Sequence, residues 1–99
     1  MEPEKNTVRI DQWLWAARFF KTRSQAQQAV RGGKVSLNGQ RPKPSHGIKP
    51  HDQLVISKGD WQYTIDVIDL ASKRLSPPLA QALYKETQDS QNKRAEQSE

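Results

Sequence analysis

Ten residues, Val30-Arg31-Gly32-Gly33-Lys34-Val35-Ser36-Leu37-Asn38-Gly39, fix the centre of the fold. Upstream of Gly32 the apolar positions keep helical spacing, with Ala26, Ala29 and Val30 on one narrow face. Downstream, Val35 and Leu37 alternate with polar neighbours, which is the period of a strand. The paired glycines divide the two periods, because glycine enters the left-handed turn after a helix without steric cost. Asn38-Gly39 is then a strong two-residue hairpin signal. A helix feeding directly into a tight hairpin points to an α+β fold.

The flanking sequence extends this unit on both sides. Ile10, Trp13, Leu14 and Ala17 follow the i, i+3, i+4, i+7 spacing of an amphipathic helix, with Asp11 in the first turn, where the helix dipole favours an anion. Lys21 and Thr22 are expected to end it. Thr22-Arg23-Ser24-Gln25 reads as a capping box opening a second helix, and Ser24 with Gln27 gives an equally good register. The return strand of the hairpin, Gln40 to Lys43, is cut short by Pro42 and Pro44, which suits a sheet edge.

Leu54 to Ser57 and Trp61 to Leu70 read as two further strands, with Trp61, Tyr63, Ile65 and Val67 on one face of the second. After Ser76-Pro77-Pro78, a short helix is expected from Leu79 to about Thr87, lying back across the first helix. Residues 1–7 and 88–99 are polar and read as flexible termini.

A chain of 99 residues allows one domain. It has no cysteine, which excludes disulfides and thiolate metal sites. Met1 to Thr7 has no apolar signal region, and no apolar run approaches the roughly 20 residues needed to cross a bilayer. These features suit a small, soluble, cytoplasmic monomer with no cofactor and no metal.

Charge is distributed unevenly. Residues 1–50 carry ten Lys/Arg against three Asp/Glu, a net +7, whereas residues 51–99 are net −2. Asp11 is the only acid between Val8 and His51, although a surface built merely for solubility would mix signs. Such a field favours a polyanion. Arg18 leaves the flank of the first helix, Lys21 and Arg23 sit in the turn, and Gln28 and Arg31 lie one turn apart on the second helix. Lys34, Arg41 and Lys43 follow on the hairpin. Arg and Lys suit phosphates, and Gln25, Gln28 and Asn38 suit base edges or 2′-hydroxyls. This spread over several elements matches the reading of structured RNA better than a major-groove recognition helix. Non-specific DNA binding through the same charges is the minor expectation.

Three segments carry a family resemblance: Arg9-Ile10-Asp11 with Leu14, Arg23-Ser24-Gln25-Ala26, and Gly33 through Val35 and Leu37-Asn38-Gly39. Together they resemble the small RNA-binding domain named after ribosomal protein S4, over about Val8 to Ser57. That resemblance implies two helices packed on a small, mostly antiparallel sheet, with residues 58–87 as an extension packing on it. It also implies RNA contacts from Arg9, Arg18, Lys21, Thr22, Arg23, Ser24, Gln25, Gln28, Arg31, Lys34, Asn38, Arg41 and Lys43. Trp13 to Arg23, Gly39-Gln40-Arg41 with Lys43-Pro44-Ser45, and Ala82-Leu83-Tyr84 with Glu86-Thr87 are similar to the ribosome-associated heat-shock protein 15 family. Members of that family bind large ribosomal subunits stranded with an unfinished chain on tRNA and help recycle them. The implied partners are large-subunit ribosomal RNA and peptidyl-tRNA. The chain departs from the family at Gln88 to Glu99, which is mixed in sign where members often carry a longer basic tail.

The remaining features are read as structural. Trp15 and Phe19 could stack on bases or form a protein-partner surface, but the expectation is that Leu79 and Leu83, or the Trp61/Tyr63 strand, cover them. His46 and His51 belong to a loop, Asp66 and Asp69 to strand and loop surface, and Gly32-Gly33 lacks the sequel of a phosphate-binding loop. No enzymatic activity is expected. A general structured-RNA or tRNA binder is the alternative. Reversing Lys21 and Arg23 to Glu is expected to abolish RNA binding and leave the fold intact.

Overall fold

The computed structural model describes residues 7–97. Strand β1 (Val8–Arg9) leads into helix α1 (Ile10–Ala16), followed by helix α2 (Arg23–Arg31), strands β2 (Val35–Leu37) and β3 (Gly47–Ile48), and strands β4 (Gln53–Lys58) and β5 (Trp61–Val67). Helix α3 (Pro77–Gln81), strand β6 (Tyr84–Glu86) and helix α4 (Gln88–Gln97) complete the chain. The main sheet is antiparallel with order β2-β4-β5-β6, and β1 pairs with β3 separately.

Register explains the core. Leu37 lies opposite Leu54, which lies opposite Ile65, and Val35 lies opposite Ile56. All five point to one face and are buried there. Ile10, Trp13 and Leu14 of α1 and Ala26 and Val30 of α2 pack onto that face. Trp13 is the largest fully buried side chain, and its indole N–H donates to the Asp69 carbonyl at 2.9 Å. Truncating Trp13 to Ala would cost about 3–5 kcal/mol through lost burial and the cavity left behind.

Helix α1 ends at Ala16, five residues before Lys21, where the sequence suggested its end. Arg18 adopts φ 67°, Phe19 N–H reaches back to the Leu14 carbonyl at 3.0 Å, and Arg18 N–H to that of Trp15 at 3.0 Å. This Schellman closure usually holds glycine at the left-handed position. Helix α2 stops the same way with its expected glycine, Gly33, at φ 77°. At the start of α2 the Thr22 register wins: Thr22 Oγ1 accepts from Gln25 N–H at 3.0 Å, and Gln25 Oε1 accepts from Lys21 N–H at 3.2 Å.

Asn38 and Gly39 form the expected tight turn, both at positive φ. The return strand is reduced to a single bridge between Leu37 and Gln40. Residues 43–46 instead turn over the start of α1, where Ile10 N–H donates to the His46 carbonyl at 2.8 Å and Asp11 N–H to that of Pro44 at 3.3 Å.

The C-terminal half differs most from expectation. The predicted helix from Leu79 to Thr87 stops at Gln81, and Tyr84–Glu86 becomes a sheet edge. Tyr84 there packs against Phe19 at a tilt of 49°, centroids 4.7 Å apart, and meets Trp13 edge-on at 6.4 Å. Phe19 is therefore covered as expected, but by Tyr84, while Leu79 is 59% exposed. Trp15 is half-buried. The segment across α1 is the loop 69–75, held where Gln12 Nε2 donates to the Ser72 carbonyl at 2.7 Å and Leu75 N–H to that of Ala16 at 3.4 Å.

Residues 88–97, expected to be a disordered tail, form α4 against β5. Arg94 pairs with Glu86 and lies 4.9 Å from the Tyr63 ring centroid, while Ser90 Oγ accepts from Thr64 N–H at 3.0 Å. Three polar contacts thus substitute for the apolar face that α4 lacks. The expectation of loose residues 1–6 and 98–99 falls outside the described residues. No described helix is long and apolar enough to cross a membrane.

Candidate nucleic-acid interface

Fully buried Asp11 organises the helix pair. Its carboxylate accepts from Arg9 Nε at 3.1 Å, from the Arg9 terminal nitrogen at 2.9 Å and from Gln27 Nε2 at 3.1 Å. The Arg23 guanidinium stands 3.7 Å away. Burial by itself raises the Asp11 pKa, but the bonds from Arg9 and Gln27 and the Arg9 charge outweigh it, so the carboxyl sits below its ordinary range. Arg9 and Arg23 remain 46% and 41% exposed, so their stems are oriented from below and their outer faces are open.

The hairpin adjoins this cluster. Arg41 donates to the Arg31 carbonyl at the end of α2, and its guanidinium carbon lies 3.5 Å from where a side chain on Gly33 would begin. A glycine at Gly33 therefore serves both the left-handed turn and the seating of Arg41. Asn38, Gln40, Arg41, Lys43 and His46 line a concavity beside the turn. Because residues 43–46 also bind the start of α1, Arg9, Arg23, Arg31, Arg41 and Lys43 belong to one connected surface. Its acids are withdrawn from solvent: Asp11 is fully buried and Asp52 is 6% exposed.

The other predicted contact residues take different places. Thr22 and Gln25 are engaged in capping α2. Asn38 is engaged in the turn, donating to Asp52 Oδ1 at 3.1 Å and accepting from Gln53 N–H at 2.9 Å, while the residue stays exposed with one amide hydrogen beyond those two bonds. Ser24, Gln28 and Lys34 are exposed on α2 and the loop after it. Arg18 stands at the opposite end of α1 from Arg9, donating through Nε to the Leu75 carbonyl at 2.5 Å, and Lys21 is exposed in the turn between the helices. Sequence reading missed Gln27 as an anchor. The signal was its alternative place in a capping box, which hid its position one helical turn from Arg23 and Arg31.

Arg23 also corrects the expectation for charge reversal. A glutamate there would face the buried Asp11 carboxylate, so such a variant disturbs the fold as well as the surface.

Other features offer little to an anion or a metal. The concavity between α4 and β5 is lined by Asp60, Asp89 and Glu96 beside a single Lys93. Asp66 accepts from Gln53 and Asp69 from its own neighbour Leu70. No described cluster of three His, Cys, Asp or Glu could hold a metal ion.

Two helices on an antiparallel sheet, with a cationic surface running from helix to hairpin, agree with an S4 domain, and the S4 domain family model matches residues 8–54. A heat shock protein 15 homologue of Aeromonas salmonicida is 48% identical over 93% of this chain and 70% of its own length. Heat shock protein 15 of Escherichia coli is 44% identical over 88% of the chain and 65% of its own length. The trimeric structure of Vibrio cholerae heat shock protein 15 superposes with a TM-score of 0.90 at 46% identity, covering 93% of both chains. The chain belongs to the heat shock protein 15 family. A more distant relative, 33% identical over 64% of the chain and 73% of its own length, is the RQC P-site tRNA stabilizing factor of Bacillus subtilis.

Proposed function

We propose that this protein binds structured RNA of the large ribosomal subunit in the cytoplasm and helps recycle subunits still blocked by an unfinished chain on tRNA, notably after heat stress. The observation that carries this reading is the connected surface of Arg9, Arg23, Arg31, Arg41 and Lys43, whose own acids are buried. Membership of the heat shock protein 15 family supports the ribosomal setting, and the name of the Bacillus relative supports a nearby tRNA. The action is non-catalytic: guanidinium and ammonium groups grip phosphates and hold a ribosomal RNA stem, with peptidyl-tRNA as a second contact. Such binding weakens steeply with salt, because each phosphate contact releases counterions.

The test compares affinity for large subunits, free tRNA and unrelated RNA hairpins at one salt concentration. Preference for large subunits supports the ribosomal reading. Equal affinity for all three reduces the protein to a general structured-RNA binder.

A further inference from the structure

Arg18 and Lys21 group with cations that lie beyond the residues matched by the S4 family model. The loop 69–75 runs along α1 between Gln12 and Ala16 and delivers Arg74 to the turn between the helices, with Lys73 exposed beside it in the loop. Arg74 stands with a terminal nitrogen 3.5 Å from the Phe20 carbonyl. Lys58 arrives from the end of β4, donates to the Phe19 carbonyl at 2.6 Å and lies 5.3 Å from the Phe20 ring centroid. Arg18 donates to the Leu75 carbonyl from the same turn.

Three separate segments thus bring Arg18, Lys21, Lys58 and Arg74 to one short turn, with exposed Lys73 next to Arg74 in the chain. Like charges so gathered repel one another. Backbone carbonyls take one donor each from Arg18, Lys58 and Arg74, and the sequence supplies no acid between Leu70 and Lys85. The flanking acids are Asp69, whose carboxylate accepts from Leu70 N–H, and Asp60 in the turn after Lys58. Arg74 Nε is buried and without a partner among the described residues. The carbonyls hold the stems in place, and a polyanion would supply the missing negative charge.

We propose that Arg18, Lys21, Lys58, Lys73 and Arg74 form a second phosphate-binding patch, on which a separate stretch of RNA backbone lies, away from the hairpin side. This rests on the RNA-binding reading above and extends its footprint past the S4 domain.

The experiment measures affinity for large-subunit ribosomal RNA over a range of salt for wild type, Lys73→Gln, Lys73→Gln/Arg74→Gln and, as the hairpin-side reference, Lys43→Gln. Lys73 is exposed, and its side chain makes no ion pair or hydrogen bond among the described residues, so its loss should not move the melting temperature. The slope of log affinity against log salt should become shallower by about one for Lys73→Gln, about one for Lys43→Gln and about two for the double variant. A shallower slope for Lys43→Gln with a wild-type slope for Lys73→Gln would overturn the second patch alone. Weakening confined to the double variant, together with a lower melting temperature, would overturn it too, since Arg74 would then merely pin the turn. A wild-type protein that binds no RNA would remove the underlying reading as well.

Discussion

Asp11 of α1 and Gln27 of α2 meet across the helix pair through a 3.1 Å hydrogen bond, with the carboxylate wholly out of solvent. A buried charge is tolerated only when its lone pairs are used, and Arg9 and Gln27 use them, with Arg23 close by. Asp11→Asn keeps the shape and removes the charge. It should destabilise the protein by about 2–3 kcal/mol, toward the lower end for a broken buried pair because both arginines are partly exposed. Chemical denaturation gives the number, and an unchanged midpoint would show that the carboxylate contributes little.

Acid should act through the same kind of group. The hydrogen bond from Arg94, with that from Ser90, outweighs burial and holds the Glu86 carboxyl below its ordinary range, and Asp11 is lowered too. A carboxyl with a depressed folded pKa contributes stability that is complete above its unfolded value. That stability is lost as pH falls through the folded value. The melting temperature should therefore hold from pH 7 to about 5 and decline below about 4.5. Glu86→Gln should melt lower at neutral pH and lose part of that acid dependence. Identical pH profiles for the two proteins would count against the Glu86–Arg94 pair.

Arg18 occupies a left-handed position where glycine is at ease. Arg18→Gly should relieve about 1 kcal/mol of backbone strain, roughly balancing the lost bond to the Leu75 carbonyl. The expected outcome is a near-unchanged melting temperature with weaker RNA binding. Full RNA affinity in this variant would remove Arg18 from the interface.

Charge reversal is cleanest away from Asp11. Lys21→Glu/Lys43→Glu alters two exposed side chains and should lower RNA affinity by at least tenfold without moving the thermal midpoint. Arg23→Glu should lower both. Equal behaviour of the two variants would mean that the Arg23–Asp11 contact is of no structural consequence.

The two helices and the hairpin were legible because their signals are local: a capping Thr22, a terminating Gly33 and an Asn38-Gly39 turn each act within a few residues. The early end of α1 was not, since an arginine in the left-handed position carries no sequence mark. Nor was β6, because Tyr84 follows helical spacing and is drawn into the sheet by Phe19 and Trp13. Helix α4 escaped for a similar reason: its hold on β5 comes from single polar contacts of Ser90 and Arg94, which composition cannot show. The site was legible as charge. Its division between hairpin and turn, and the engagement of Asn38 in its own turn, depend on contacts between residues distant in sequence.

The most direct test of the central claim is co-sedimentation of the purified protein with empty large ribosomal subunits and with large subunits carrying peptidyl-tRNA. The account predicts binding to both with clear preference for the loaded subunits, reduced for both by Lys21→Glu/Lys43→Glu. Absence of binding to either, at a salt concentration where the protein is folded and monodisperse, would contradict it.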